Sequence, residues 1–297
     1  MKTVFMLTRR NARLFFKDLG MFLTSLITPL ILLLLYMTFL CNVYRDSFLM
    51  HFENIAIEDG LVNGLVAGQL FSSILAVSCV TVAFCANLLM VQDKITGARG
   101  DLLMAPIKRH YLAISYYSAT LLVTLIVAAV AALACFIYIA SVGWYLSFAD
   151  VLLILLDILL LVMFGTALSS IINYFLSTQG QGSAVGTIVS SCYGFVCGAY
   201  MPISSFAEGL RNALAFFPGT YGTALLRNHT LRGVFRKMRD SGIPNEIVEG
   251  VRDAVDCNIY YAGTAVPEGL MYVILVATIL VLIAAFVLIN RLDKRKS

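Results

Sequence analysis

Residues 152–161 read Leu152-Leu153-Ile154-Leu155-Leu156-Asp157-Ile158-Leu159-Leu160-Leu161, nine branched aliphatic side chains around one carboxylate. The apolar run that contains them extends over residues 151–176. A bilayer's hydrocarbon core is roughly 30 Å thick, and a helix crosses it with about 20 apolar residues. This run is long enough. Asp157 lies seven residues beyond Asp150, about 10 Å deeper by helical rise. A charge at mid-bilayer costs about 2.5–3.5 kcal/mol on insertion scales. Asp157 is therefore expected to be protonated or paired, either in a structural hydrogen bond or as a proton-coupling carboxylate.

The rest of the chain agrees with that stretch. Of 297 residues, 60% are hydrophobic and 13% charged, and the mean hydropathy is +0.88. Soluble domains carry about 25% charged residues. The composition indicates a membrane protein, and a net charge of +4 is too small to suggest nucleic acid as a partner. The seven cysteines contain no C-x-x-C pair; most lie in or beside apolar runs, where a thiol acts as a small hydrophobe. A disulfide through Cys257 stays open. His51, His110 and His229 are far apart, and no cluster has metal-ligand spacing. Asn87 and Asn173 are candidate polar bridges between spans.

Six spans are predicted, at residues 20–43, 61–91, 111–142, 151–176, 184–201 and 269–290. The second and third exceed a bilayer's need and should tilt or continue into water. Cations set the orientation. Lys2, Arg9, Arg10, Arg13 and Lys17 precede the first span, Lys94, Arg99, Lys108 and Arg109 occupy the second loop, and Arg291, Lys294, Arg295 and Lys296 form the tail. The N-terminus, the second loop and the C-terminus are thereby expected in the cytoplasm. Residues 202–268 hold seven cations yet must lie outside; segments longer than about 60 residues cross largely regardless of charge. The first span reads as an anchor, being too long for a cleaved signal. Before it, on a helical wheel, the five cations fall in one sector of roughly 100°, with Phe5, Leu14, Phe15 and Phe16 outside it. Residues 1–19 are expected to lie in the membrane surface, cations toward water and rings toward lipid.

Small residues form two ladders at every fourth position. One runs Gly182, Gly186, Ser190, Gly194 and Gly198; the other Gly60, Gly64, Gly68, Ser72 and Ala76. Helices in lipid associate through close approach, so small residues mark contact faces. Either ladder can serve static packing or a contact that opens. Pro202 is expected to end the fifth span, since proline lacks an N–H and clashes with the preceding turn.

Two stretches carry a family resemblance. Residues 92–110, Gln-Asp-Lys-Ile-Thr-Gly-Ala-Arg-Gly-Asp-Leu-Leu-Met-Ala-Pro-Ile-Lys-Arg-His, combine charge with a short apolar patch, a proline and a basic pair. Residues 200–227 place a Pro202 break before a Leu-rich amphipathic turn, then Pro218-x-x-Tyr221 and a later Arg227. Both resemble export-type (type-2) ABC transporter permeases, and with six spans the resemblance covers nearly the whole chain. The chain departs from the family in Asp93-Lys94, where Glu-Arg is frequent, and in residues 228–265, an addition of about forty residues expected to cap the outer face as a helical hairpin, Thr230 to Asp240 and Pro244 to Asp256.

The resemblance implies an all-α membrane protein: an interfacial helix (1–19), five transmembrane helices (20–201) with a cytoplasmic coupling loop (92–110), a re-entrant and extracytoplasmic region (202–268), and a sixth helix with a basic tail (269–297). It implies an exporter subunit in the inner membrane, with ATP and Mg bound by a separate ATPase, a second permease copy, and an amphipathic substrate such as a drug, lipid, peptide or glycan. No G-x-x-x-x-G-K-[ST] loop is present, so this chain should bind no nucleotide itself. Implied contacts to the ATPase are Asp93, Lys94, Gly97, Arg99, Leu102, Leu103, Met104, Pro106, Lys108 and Arg109. The implied substrate path comprises Gly64, Gly68, Ser72, Ser73, Gly186, Ser190, Tyr193 and Gly194, and the implied re-entrant gate Pro202, Phe217, Pro218 and Tyr221. The competing reading is an ion-coupled transporter or channel working through Asp157. A lipid-acting membrane enzyme is disfavoured, since no catalytic constellation is visible.

Overall fold

The computed structural model describes residues 2–50, 52, 57–105, 107–261 and 263–292, without the side chain of Met37. Pro106, His51 and the tail cations Lys294, Arg295 and Lys296 lie outside the described residues.

The chain is helical almost throughout. Helix α1 (Lys2–Lys17) is followed by α2 (Leu19–Leu35), a π-helical turn (Tyr36–Leu40) and α3 (Cys41–Met50), which run on as one rod. Then come α4 (Asp59–Ile95), α5 (Ala98–Met104), α6 (Arg109–Val142), α7 (Phe148–Phe175) and α8 (Gln179–Val196). A 3₁₀ turn (Ile203–Ser205), α9 (Glu208–Leu214), α10 (Pro218–Asp240), α11 (Asn245–Ala254), a two-residue antiparallel ladder pairing Tyr260 with Ala265 and Tyr261 with Thr264, and α12 (Glu268–Leu292) complete it. Five of these rods are long and apolar enough to cross a membrane: Leu19–Met50, α4, α6, α7 and α12.

Helix α4 is the axis, with α6, α7, α10, α2 and α8 packed around it. At 37 residues it measures about 55 Å, well beyond a bilayer core. Its meeting with α7 is close because Gly165 has no side chain: a Cβ there would stand 2.8 Å from the Cys79 carbonyl oxygen. Asn87 Nδ2 donates to Ser169 Oγ and Ser170 Oγ (3.2 and 3.0 Å), and Asn173 Nδ2 to the Phe84 carbonyl (3.5 Å), so both asparagines bridge α4 to α7.

Three expectations are corrected. The fifth span does not reach Pro202. Helix α8 ends at Val196, where Gly198 takes a left-handed φ of 74° and the Gly194 carbonyl accepts the N–H groups of Ala199 and Tyr200. A glycine cap stops the helix before proline can, and Pro202 instead opens the 3₁₀ turn. Secondly, α1 does not turn every ring outward: Phe5 and Phe16 are exposed, but Phe15 is not. Leu7, Asn11 and Phe15 form a buried seam, and Phe15, 1% exposed, packs against Ala86 and Val123, because the long lower ends of α4 and α6 give it a protein surface to cover. Thirdly, Thr230 does not begin a capping hairpin. It lies inside α10, which starts at Pro218 and is buried over most of its length. Only the turn into α11 stands apart, with Val248 and Val251 folded back onto the core.

Helix α10 runs antiparallel to α7. Gly222 meets Leu161, His229 meets Asp157 and Arg236 meets Asp150. Leu161 is thirteen residues in from Phe148, so the start of α10 lies about 20 Å down the α7 rod.

Candidate functional site

At one end of the bundle α5 forms a platform between the two longest helices. Gly97, at φ 82°, supplies the left-handed turn that starts it. Leu102 and Leu103 are half-buried and pack into a cluster with Leu7, Met90, Leu112, Tyr116 and Phe286. Met104 is 90% exposed. The apolar patch therefore divides in two: the leucine pair anchors the platform, and methionine projects from it. Asp101 and Lys108 face solvent, while Arg99 and Arg109 are half-buried, with the Arg99 guanidinium over the Tyr174 ring at 5.9 Å.

Asp93 and Lys94, sought as docking charges, turn inward. Asp93 accepts two hydrogen bonds from the Arg10 guanidinium (2.6 and 3.2 Å) and one from Tyr116 Oη (2.6 Å), joining α1, α4 and α6. Donating to Asp93 raises the Arg10 pKa above its ordinary value. Lys94 Nζ donates to the carbonyls of Asn173 (3.1 Å), Tyr174 and Leu176 (2.9 Å), the last turn of α7. A cation there satisfies carbonyls that the helix leaves without partners and sits at the negative end of its dipole.

The two ladders have different surroundings. Gly64 and Gly68 face Val234 and Leu231 of α10, with Tyr145 beside Gly64. Ser72 is buried and donates to the Gln69 carbonyl; Ser73 is 4% exposed. These four residues are spent on packing within the chain. In α8, Gly182 meets Leu88 of α4, and Gly194 is covered by the Tyr200 ring. Gly186 and Ser190 are only half-covered, and Ile188 between them is 60% exposed. Tyr193 is buried against Phe217, ring centroids 6.0 Å apart, and Phe217 against Phe164 at 5.8 Å. Tyr193, Phe217, Pro218 and Tyr221 thus come together where α8 ends and α10 begins. Pro202 lies apart from them, next to the Asp256 anchor.

Sequence reading missed that anchor. Arg227, 1% exposed, donates to the carbonyls of Val255 (2.6 Å) and Gly198 (2.8 Å) and pairs with Asp256 at 3.6 Å. Asp256, itself in a left-handed turn at φ 54°, accepts the N–H groups of Ile203 and Ser204. Burial pushes its carboxyl above the ordinary value, against the pull of Arg227 and those two amides. Next to it, burial pushes the Cys257 thiol up to about 12, which leaves it a protonated, inert free thiol. The only signal was the family's later arginine; nothing local said that it is buried.

Asp157 has two partners. His229 Nδ1 lies 2.6 Å from one carboxylate oxygen, and Tyr272 Oη donates to the other at 2.6 Å. The triad ties α7 to α10 and α12. His229, read from the sequence as an isolated histidine, is 2% exposed.

Set against known proteins, the chain matches a family model described as ABC-2 type transporter over residues 2–230. No curated protein and no solved structure matches it.

Proposed function

The chain belongs to the ABC-2 type transporter family, a multi-pass membrane component of transporters, and from that premise we propose that it is the permease half of an ATP-driven exporter. A separate ATPase binds the platform end, which faces the cytoplasm. Two copies of the chain form the complete pore. On this reading helix α8, less apolar than the five rods, is the fifth of six crossings: its 18 residues give about 27 Å, and α10 continues the path as a re-entrant helix. Export is outward, and the cargo is amphipathic. The substrate path follows the half-covered face of α8 at Gly186 and Ser190, rather than the α4 ladder.

The observation that carries this reading is Met104, a large apolar side chain held in the open by a half-buried leucine pair. Methionine is enriched at protein interfaces, and α5 hangs between the lower ends of α4 and α6, so a push on it reaches both. The ion-coupled alternative gains no support from Asp157, whose two oxygens are taken by His229 and Tyr272.

The test is Met104→Asp in the chain co-expressed with its ATPase. Membrane insertion should be normal. Substrate-stimulated ATP hydrolysis and export should fall by about thirtyfold, the ~2 kcal/mol of an interface hot spot. Normal export with normal stimulation, or purified chain that transports without any ATPase, would defeat the proposal.

A further inference from the structure

Between α2 and α6 lies an apolar groove of about 720 Å³ whose floor is α4. Small-molecule sites typically measure about 300–1,000 Å³, so it has the capacity of a site. Leu30 and Leu33 form one wall, Ala131 and Ala134 the other, and Leu70 and Ile74 the floor. Helix α2 packs on α4, and so does α6. The two alanines leave the space between the walls unfilled.

We propose that this groove is a resident site for a hydrocarbon chain of a bilayer lipid. Three observations carry the assignment. The groove offers almost no hydrogen bonding: the Tyr36 hydroxyl donates to the Val66 carbonyl and the Ser78 hydroxyl to the Ile74 carbonyl. A polar ligand would lose water and gain nothing. Secondly, the walls are rods long and apolar enough to cross a membrane, so the medium at the groove's mouth is hydrocarbon. Thirdly, the groove is elongated: from Phe22 to Tyr36 it follows about 21 Å of helical rise, the shape of an extended hydrocarbon chain.

Aromatic rings define the ends. Phe16 and Phe22, with centroids 6.0 Å apart, stand at one end. Tyr36 and Tyr138 stand at the other, and Tyr138 is 43% exposed. Tyrosine favours the membrane–water boundary, which places a headgroup at the Tyr138 end and the chain running inward from it. The wall at that end is the π-helical turn Tyr36–Leu40, an irregularity that often marks functional sites in otherwise regular helices.

This site goes beyond the exporter reading and needs only that the chain spans a membrane. The full chain would be reconstituted in bilayers containing phosphatidylcholine with a diazirine on its acyl chain, then photolysed and mapped by peptide. The exposed face of α12, with Val273, Leu280 and Val281 uncovered, reports ordinary contact with bulk lipid. Labelling around Leu33 and Ala134 should exceed labelling of that face by about tenfold, about 1.4 kcal/mol of preference. Ala134→Trp, and separately Ala131→Trp, should abolish the excess and leave α12 labelling unchanged. Equal labelling of groove and α12 overturns the proposal. So does an excess that survives both tryptophans, or cross-linking between two copies through Cys41 and Cys135. None of these outcomes depends on an ATPase, so they leave the exporter reading standing.

Discussion

Over an apolar stretch of 18 residues in each, helix α4 and the rod Leu19–Met50 are almost equally apolar, with mean hydropathies of 2.4 and 2.2, yet 94% of one stretch is buried within the chain and 18% of the other. Hydropathy tells a helix from a loop but does not tell protein from lipid as its surroundings. What separates the two is polarity and size. Helix α4 carries Gly64, Gly68, Gln69, Ser72, Ser73, Ser78, Thr81 and Asn87, small or hydrogen-bonding groups that lipid cannot satisfy and neighbouring helices can. In α2 the buried positions are Ser25, Thr28 and Leu32 alone, while leucine and isoleucine make up most of the rest. Among apolar spans of equal strength, the one rich in small polar residues is the hub.

That contrast can be broken at three points. The largest effect is expected at Leu75, 0% exposed on α4. Leu75→Ala should destabilise the folded chain in detergent by about 2–4 kcal/mol, from lost contacts and the cavity left behind. A denaturation midpoint equal to the parent's would mean that α4 is not the tightly packed axis. A smaller loss, about 1–3 kcal/mol, is expected of Gly165→Ala, because the added methyl meets the backbone of Cys79 and Val80 and forces α4 and α7 apart. A cysteine pair across that contact would read the separation directly. The smallest belongs to Leu34→Ala, at a side chain 62% exposed on α2, with a change within about 0.5 kcal/mol. If Leu34 proves as costly as Leu75, α2 is covered by protein in the working assembly.

The long spans were legible because each is a run of apolar side chains with few charges. The end of α8 was not. A ladder of small residues says which face approaches a neighbour, not where the helix stops, and a glycine cap acted before the proline. Helix α10 was misjudged for a different reason. Arg227-Asn228-His229-Thr230 is a polar run at the start of the expected outer addition, and all four are buried. Their partners, Val255, Cys257 and Asp157, lie 28 to 72 residues away, and no local pattern announces them. In the 92–110 loop, composition marked the place, but only the fold could show that Asp93 and Lys94 point inward while Met104 points out.

Lys94 belongs to α4 and grips the final carbonyls of α7, just above the start of the platform helix. With that clasp below, the Asn87 and Asn173 bridges beside it and bare backbone touching at Gly165 higher up, the two rods are pinned together at several levels along their length. On the exporter reading, a tug or shove at the platform swings both rods as one stiff beam, carrying the Asp157 latch with it.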